Sequence, residues 1–266
     1  MTPDCGVISD LYHYPIKGFS AQRVAQAQLK PNAGFPGDRQ WGFAKPGDRI
    51  DPMIPSSTAK NRFYQLLQHE RLAELRSEFD DETQQLTLWH RGQLLVSEVL
   101  TSAAAAQRVT TVIGKFLELP PDEQPQLAHA GLHQFTDSAA STLQLHGAWR
   151  KNSIALVGLS SVADLAARSG RAVDPLRFRS NLYFSGFPAF AELEWLGREI
   201  TLGSARLKIF ERTARCMATE VEPQTGIRDL PVVKLLKQFY DHTDMGVYGA
   251  VVEAGEIKAG DELRLH

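Results

Sequence analysis

Short apolar stretches cut by turn formers dominate the first fifty residues. Val7 to Tyr14 stops at Pro15, Val24 to Leu29 at Pro31-Asn32-Ala33-Gly34, and Trp41 to Ala44 at Pro46-Gly47-Asp48. Such a pattern predicts short strands of an antiparallel barrel or sandwich. Phe63, Leu66 and Leu67 recur at helical spacing and predict a helix from about Thr58 to Leu75. Leu86 to Val96 returns to strand character with Gly92 as a turn, and Ser102 is placed to cap a helix running through Val109, Val112, Ile113 and Phe116 until Pro120-Pro121 stops it.

Past a surface connection at Pro121 to Pro125, a second helix is expected from about Ser161 to Arg168, with Ser161 and Asp164 spaced as a capping box and Gly170 as the stop. Strands are expected at Phe178 to Phe184, Arg198 to Leu202, Ala205 to Phe210, Val247 to Val252 and Glu262 to Leu265, and a further helix begins near Pro231 and carries Val233, Leu236 and Phe239. The sum is mainly β with several helices, an α+β chain closer to β-barrel architecture than to a βαβ fold.

Composition narrows the partners. With 266 residues and 43% hydrophobic content the chain can bury a full core, and it reaches the length at which one core becomes two. Its formal charge of -2 comes with no basic stripe interleaved with aromatics, so nucleic acid is not an expected partner. No basic n-region precedes an apolar segment, and no apolar run approaches the ~20 residues of a membrane helix, which predicts an unexported, cytoplasmic protein with no membrane partner. Two cysteines, Cys5 and Cys216, make no disulfide framework and are expected as free thiols.

Cys216 follows Arg215 directly and Arg212 by four positions, a cationic setting that favours the thiolate. A free cysteine also packs as a small inert hydrophobe, and the local sequence leaves both readings open. Arg177-Phe178-Arg179-Ser180-Asn181-Leu182 has the period-two pattern of a strand, which would set Arg177, Arg179 and Asn181 on one face, suited either to an anion or simply to charges held in water. Tyr14-Pro15-Ile16-Lys17-Gly18 would project Lys17 from a strand end, and Gly37-Asp38-Arg39 offers another arginine at a turn before Trp41. His129 and His133 have the i, i+4 spacing of a zinc helix but lack the H-E-x-x-H pattern, and no dinucleotide or P-loop glycine motif is present.

In this order, Leu11-Tyr12-His13-Tyr14-Pro15-Ile16-Lys17, Gly37-Asp38-Arg39-Gln40-Trp41, Arg177-Phe178-Arg179-Ser180-Asn181, Arg215-Cys216 with Thr219 to Gly226, and Gly255 to Asp261 resemble the MOSC family, named for the C-terminal domain of molybdenum cofactor sulfurase. The resemblance is to its two-part members, and implies a MOSC-type β-barrel core packed against an N-terminal β-barrel-like domain, divided here as 1–100 and 101–266. It implies a molybdenum cofactor of the molybdopterin type, with Cys216 as the catalytic thiolate on the metal and Lys17, Arg39, Arg179 and Asn181 around the pterin and its phosphate. Arg177 and Arg215 complete the candidate set. It further implies reduction of N-hydroxylated small molecules, with a carrier of sulfur (a persulfide on Cys216) or of cofactor as the alternative, and a plain binding module for a phosphorylated ligand behind both. The chain departs from the family in having Gly18-Phe19 where Ser or Cys often follows the lysine. No cysteine follows Cys216, so an iron–sulfur cluster is not expected and electrons are expected from a separate electron-transfer protein.

Overall fold

Alternation of apolar and polar residues shapes most of the chain into strands. In the computed structural model, which describes residues 4–47, 50–51, 60–131, 134–135 and 152–266, the first half contains β1 (Cys5–His13), β2 (Gln22–Val24), β3 (Gln26–Leu29), β4 (Trp41–Ala44), β5 (Leu75–Asp80), β6 (Gln85–His90), β7 (Gln93–Val99), the helix α1 (Ala103–Phe116) and β8 (Gln126–His129). The second half contains β9 (Ile154–Gly158), α2 (Leu159–Ser169), β10 (Leu182–Ser185), β11 (Glu199–Leu202), β12 (Ala205–Ala214), α3 (Val232–Tyr240), β13 (Asp244–Glu253), β14 (Gly255–Lys258) and β15 (Glu262–Leu265).

Seven strands close a barrel in the order β1, β10, β9, β13, β12, β11, β15 and back to β1, with β2 added on the outer side of β1. The neighbours β9 and β10 run parallel, and the chain crosses between them through α2. Ile8, Leu11, Leu156, Leu182, Phe184, Ile200, Leu207, Val247 and Leu263 fill one continuous core. At about 1.5–3 kcal/mol for each large apolar side chain fully buried, this core dominates the stability of the barrel. A second core gathers Ile16, Phe19, Phe43, Leu75, Phe79, Leu86, Leu88, Val109 and Ile113 from β4, the β5-β6-β7 sheet and α1. The helices α2 and α3 cover a third cluster that includes Val157, Leu165, Tyr183, Leu236 and Met245.

The expected hairpin around Gly92 forms between β6 and β7, with Arg91 and Gly92 both at positive φ. Ser102 caps α1 by accepting a hydrogen bond from the Ala105 amide at 3.1 Å. Two of the expected helices differ from the sequence reading. In place of a helix from Thr58 to Leu75 there are short 3-10 turns at Lys60–Arg62 and Glu70–Glu74, followed by β5; residues 52–59 lie outside the described residues. Leu75, Ser77 and Phe79 alternate with exposed Arg76, Glu78 and Asp80, and this two-residue period wins once β6 is available as a partner. Ser161 is no cap either: α2 begins at Leu159 after Gly158, and Ser161 points its hydroxyl at the buried Glu192 carboxylate while Asp164 pairs with Arg168. Burial raises the Glu192 pKa, and hydrogen bonds from its own amide, Ser161 and Gly158 oppose that rise. Among the described residues no helix is long and apolar enough to cross a membrane.

Candidate functional site

β1 delivers Tyr14 and Lys17 to the meeting point of the two larger cores. Past His13 the chain turns at Pro15, and the Trp41 amide and carbonyl bond Pro15 and Lys17 at 3.0 and 2.8 Å. Lys17 is thereby directed inward. It is fully buried, with Nζ 3.4 Å from the Phe135 carbonyl and 5.7 Å from the Phe63 ring centroid, and so does not project from a strand end. Gly18 follows at φ +85°, where a Cβ would lie 3.2 Å from Gln65 Cα.

The Gly37-Asp38-Arg39 turn packs beside Tyr14. Asp38 is fully buried; its Oδ1 accepts the Tyr14 amide at 2.8 Å, and its Oδ2 pairs with the Arg39 guanidinium. Arg39 lies against the Tyr14 ring, 4.9 Å from its centroid, and donates to the Arg179 carbonyl at 3.0 Å. Arg39, expected beside an aromatic, lies against Tyr14 with its backbone in the αL region at φ +48°.

The segment from Arg177 to Leu182 is not a strand. Asp174 accepts the Leu176 amide at 2.8 Å and caps a 3-10 turn over Pro175–Phe178, Arg179 follows in the αL region at φ +49°, and the strand starts only at Leu182. Arg177, Arg179 and Asn181 therefore do not share a face. Buried Arg177 bonds Asp229 at 2.7 Å and the Glu220 carbonyl at 3.1 Å, whereas partly exposed Arg179 lies 4.4 Å from the Tyr14 ring centroid and donates to the Phe19 carbonyl at 2.7 Å. Asn181 is a structural staple, its carbonyl oxygen accepting from the Ala155 amide at 3.1 Å and its amide donating to the Tyr12 carbonyl at 3.3 Å.

Cys216 stands at the end of β12. Register shifts between Ile209 and Glu211 and between Arg212 and Ala214 bend this strand just before it ends. Cys216 then opens a 3-10 turn over Met217–Glu220, and its carbonyl accepts from the Thr219 amide and hydroxyl. The thiol belongs to a free, partly exposed cysteine. The cationic bracket expected from the sequence is reduced to one arginine, because Arg212 is spent on Glu194 and the Leu193 carbonyl at 3.0 and 2.9 Å. Arg215 is anchored on the Met245 and Phe178 carbonyls. Burial lowers its pKa. Burial also raises the phenol of Tyr14 well above the ordinary tyrosine range, and pushes Tyr183 up to about 12. Both rings are neutral packing surfaces at physiological pH.

These elements border a cleft of about 750 Å³. Tyr14, Gly18, Phe19, Arg177, Arg179 and Ala218, two residues beyond Cys216, line it. One wall rests on side chains acting in place of a strand: Ser20 Oγ bonds the Leu75 carbonyl and Ser77 amide, and the Gln22 side-chain amide bonds both the carbonyl and the amide of Phe79. The donor set suits an anionic cofactor with a sulfur-ligated metal. Four arginines line the cleft, of which Arg76 pairs with Glu78 and Arg23 with Asp10, while Glu74 also lines it; of the remaining two, Arg177 and Arg179, the buried Arg177 Nε–H has no hydrogen-bond partner among the described residues. Cys216 supplies a soft ligand nearby, and no group of three or more His, Cys, Asp and Glu gathers as an all-protein metal site among the described residues. Tyr14 and Asp38 were the participants hidden from sequence reasoning; the aromatic before Pro15 and the acid before Arg39 were the only signals.

Comparison with known proteins places two family models on the chain, the MOSC N-terminal beta barrel domain over residues 5–124 and the MOSC domain over residues 142–264. The chain is similar to mitochondrial amidoxime-reducing component 1 of Mus musculus, 32% identical over 118 residues, which is 40% of this chain and 34% of the relative. Its similarity to mitochondrial amidoxime reducing component 2 of Bos taurus is 30% over 122 residues, or 41% of this chain and 36% of the relative. These alignments span about a third of the length of the relatives. Among solved structures, the YUAD protein from Bacillus subtilis aligns over 100% of this chain and 98% of its own, at 15% identity and a TM-score of 0.48.

Proposed function

From the premise that the chain belongs to the MOSC family, in the form that joins a MOSC N-terminal beta barrel domain to a MOSC domain, we propose that it is a molybdenum cofactor-dependent reductase of N-hydroxylated compounds. The observation that carries the reading is the partly exposed Cys216 beside a cleft lined by Arg177 and Arg179. The names of the amidoxime-reducing relatives supply the reaction class.

In this reading Cys216 ligates the metal, and the cleft arginines hold the phosphate of the pterin. Arg179 reaches it directly and the Nε–H of Arg177 meets a second acceptor. Arg39 supports Arg179 through its carbonyl, Arg215 fixes the end of β12 before the thiol, and Asn181 and Lys17 keep the surrounding backbone in place. When bound, the cofactor supplies two-electron redox chemistry. The overall reaction takes two electrons and two protons, breaks the N–O bond, and gives the reduced nitrogen compound and water. The electrons come from a separate electron-transfer protein, and we place the reaction in the cytoplasm.

The partly exposed thiol also suits a sulfur or cofactor carrier. Protein purified from cofactor-making cells and supplied with a chemical reductant separates the two: the reductase reading expects an N-hydroxylated amidine to be converted to the amidine, with Cys216→Ala at background. A loaded protein that leaves the amidine precursor untouched, yet gains sulfur mass on Cys216 from a desulfurase and cysteine, would favour the carrier.

A further inference from the structure

Two like charges converge on one aromatic ring. Arg39 and Arg179 approach Tyr14 at 4.9 and 4.4 Å from the ring centroid, and Tyr14 is 1% exposed. Each arginine sits on an αL backbone, at φ +48° and +49°, a conformation that non-glycine residues keep only when their surroundings hold them there.

Tyr14 provides much of that hold. Its carbonyl accepts the Arg39 amide at 2.8 Å, and its amide donates to Asp38, the carboxylate paired with Arg39. Its hydroxyl donates to the Ser180 carbonyl at 3.3 Å, one residue beyond Arg179. The face of the ring attracts each guanidinium, and Asp38 offsets the charge of one, so the repulsion between the two arginines is compensated. Backbone groups survive any substitution at position 14; the ring and the hydroxyl do not.

We infer that Tyr14 is a positioning residue whose ring gathers Arg39 and Arg179, so that Arg179 presents its guanidinium to an anionic group in the cleft. The identity of that anion as the pterin phosphate rests on the function proposed above; the gathering of the arginines does not. Phe19 and Ser180 carbonyls fix the rim of the same turn, and the Tyr14 side chain touches both arginine-bearing turns.

The test compares wild type, Tyr14→Phe and Tyr14→Leu as full-length, cofactor-free protein. Two readouts are taken: the arginine Nε–Hε resonances, assigned with Arg39→Lys and Arg179→Lys, and calorimetric titration with inorganic pyrophosphate. In wild type and Tyr14→Phe the two resonances carry ring-current shifts, and pyrophosphate affinity agrees within about threefold; in Tyr14→Leu the shifts vanish and affinity falls about tenfold or more. Tyr14→Leu with unchanged resonances overturns the inference, as does Tyr14→Phe losing as much affinity as Tyr14→Leu. Should Tyr14→Leu not fold, Tyr14→Phe decides alone: retained shifts uphold the role of the ring and lost shifts overturn it. If wild type shows the expected shifts but binds no pyrophosphate and carries no pterin from cofactor-making cells, the proposed function fails while the positioning of the arginines by Tyr14 stands.

Discussion

Gly18 shows how one residue sets the shape of the cleft. At φ +85° it occupies a conformation that costs an alanine about 1–2 kcal/mol, and an added Cβ would press on Gln65 Cα at 3.2 Å. The departure from the Ser or Cys of the family is thus matched to the packing of Gln65 in this chain. Gly18→Ala is expected to lower the thermal midpoint by a few degrees in calorimetry; an unchanged midpoint would show that the 64–65 backbone yields. At this scale Cys216 and the arginines were legible, because charge and rarity are written in the sequence. Their partners were not: Arg212 meets Glu194, Arg177 meets Asp229, and Asp38 supports both Tyr14 and Arg39, each pairing made by the fold. Lys17 was recognised as a candidate, but its burial under Phe63 and Phe135 is a tertiary fact.

Elements were legible where periodicity and turn chemistry agreed. Ser102 and α1, the hairpin at Gly92, and Gly170 closing α2 at φ +66° follow from caps and glycines. The segment Arg177 to Leu182 misled because its alternation is genuine in sequence, yet Asp174-Pro175 starts a capped turn that breaks the strand before it forms. The edge of β5 was invisible for a different reason: side chains, not a strand, satisfy it. Gln22→Ala leaves the amide and carbonyl of Phe79 without their side-chain partner on a partly buried edge and is expected to cost about 1 kcal/mol. Hydrogen exchange at the Phe79 amide should accelerate more than at amides facing β6, and equal acceleration along the strand would show that the Gln22 contact is not what protects it.

At the scale of the molecule, the two halves of the sequence interlock. β1 closes the barrel between β10 and β15, strands from the far end of the chain, and β3 pairs with β14. The mainly β class was readable from short alternating runs, but the order of strands was not, since each pairing joins residues distant in sequence and leaves no local mark. That closure brings the Tyr14 turn, the Arg179 turn and the turn that follows Cys216 together around one cleft, and the proposed chemistry depends on Cys216 ligating a metal beside it. The decisive measurement is the molybdenum and pterin content of wild type and Cys216→Ala, both purified from cells that make the cofactor. Stoichiometric metal and pterin are expected in wild type, with molybdenum lost from Cys216→Ala; metal-free wild type, or a variant retaining full metal and activity, would rule out Cys216 as the metal's ligand.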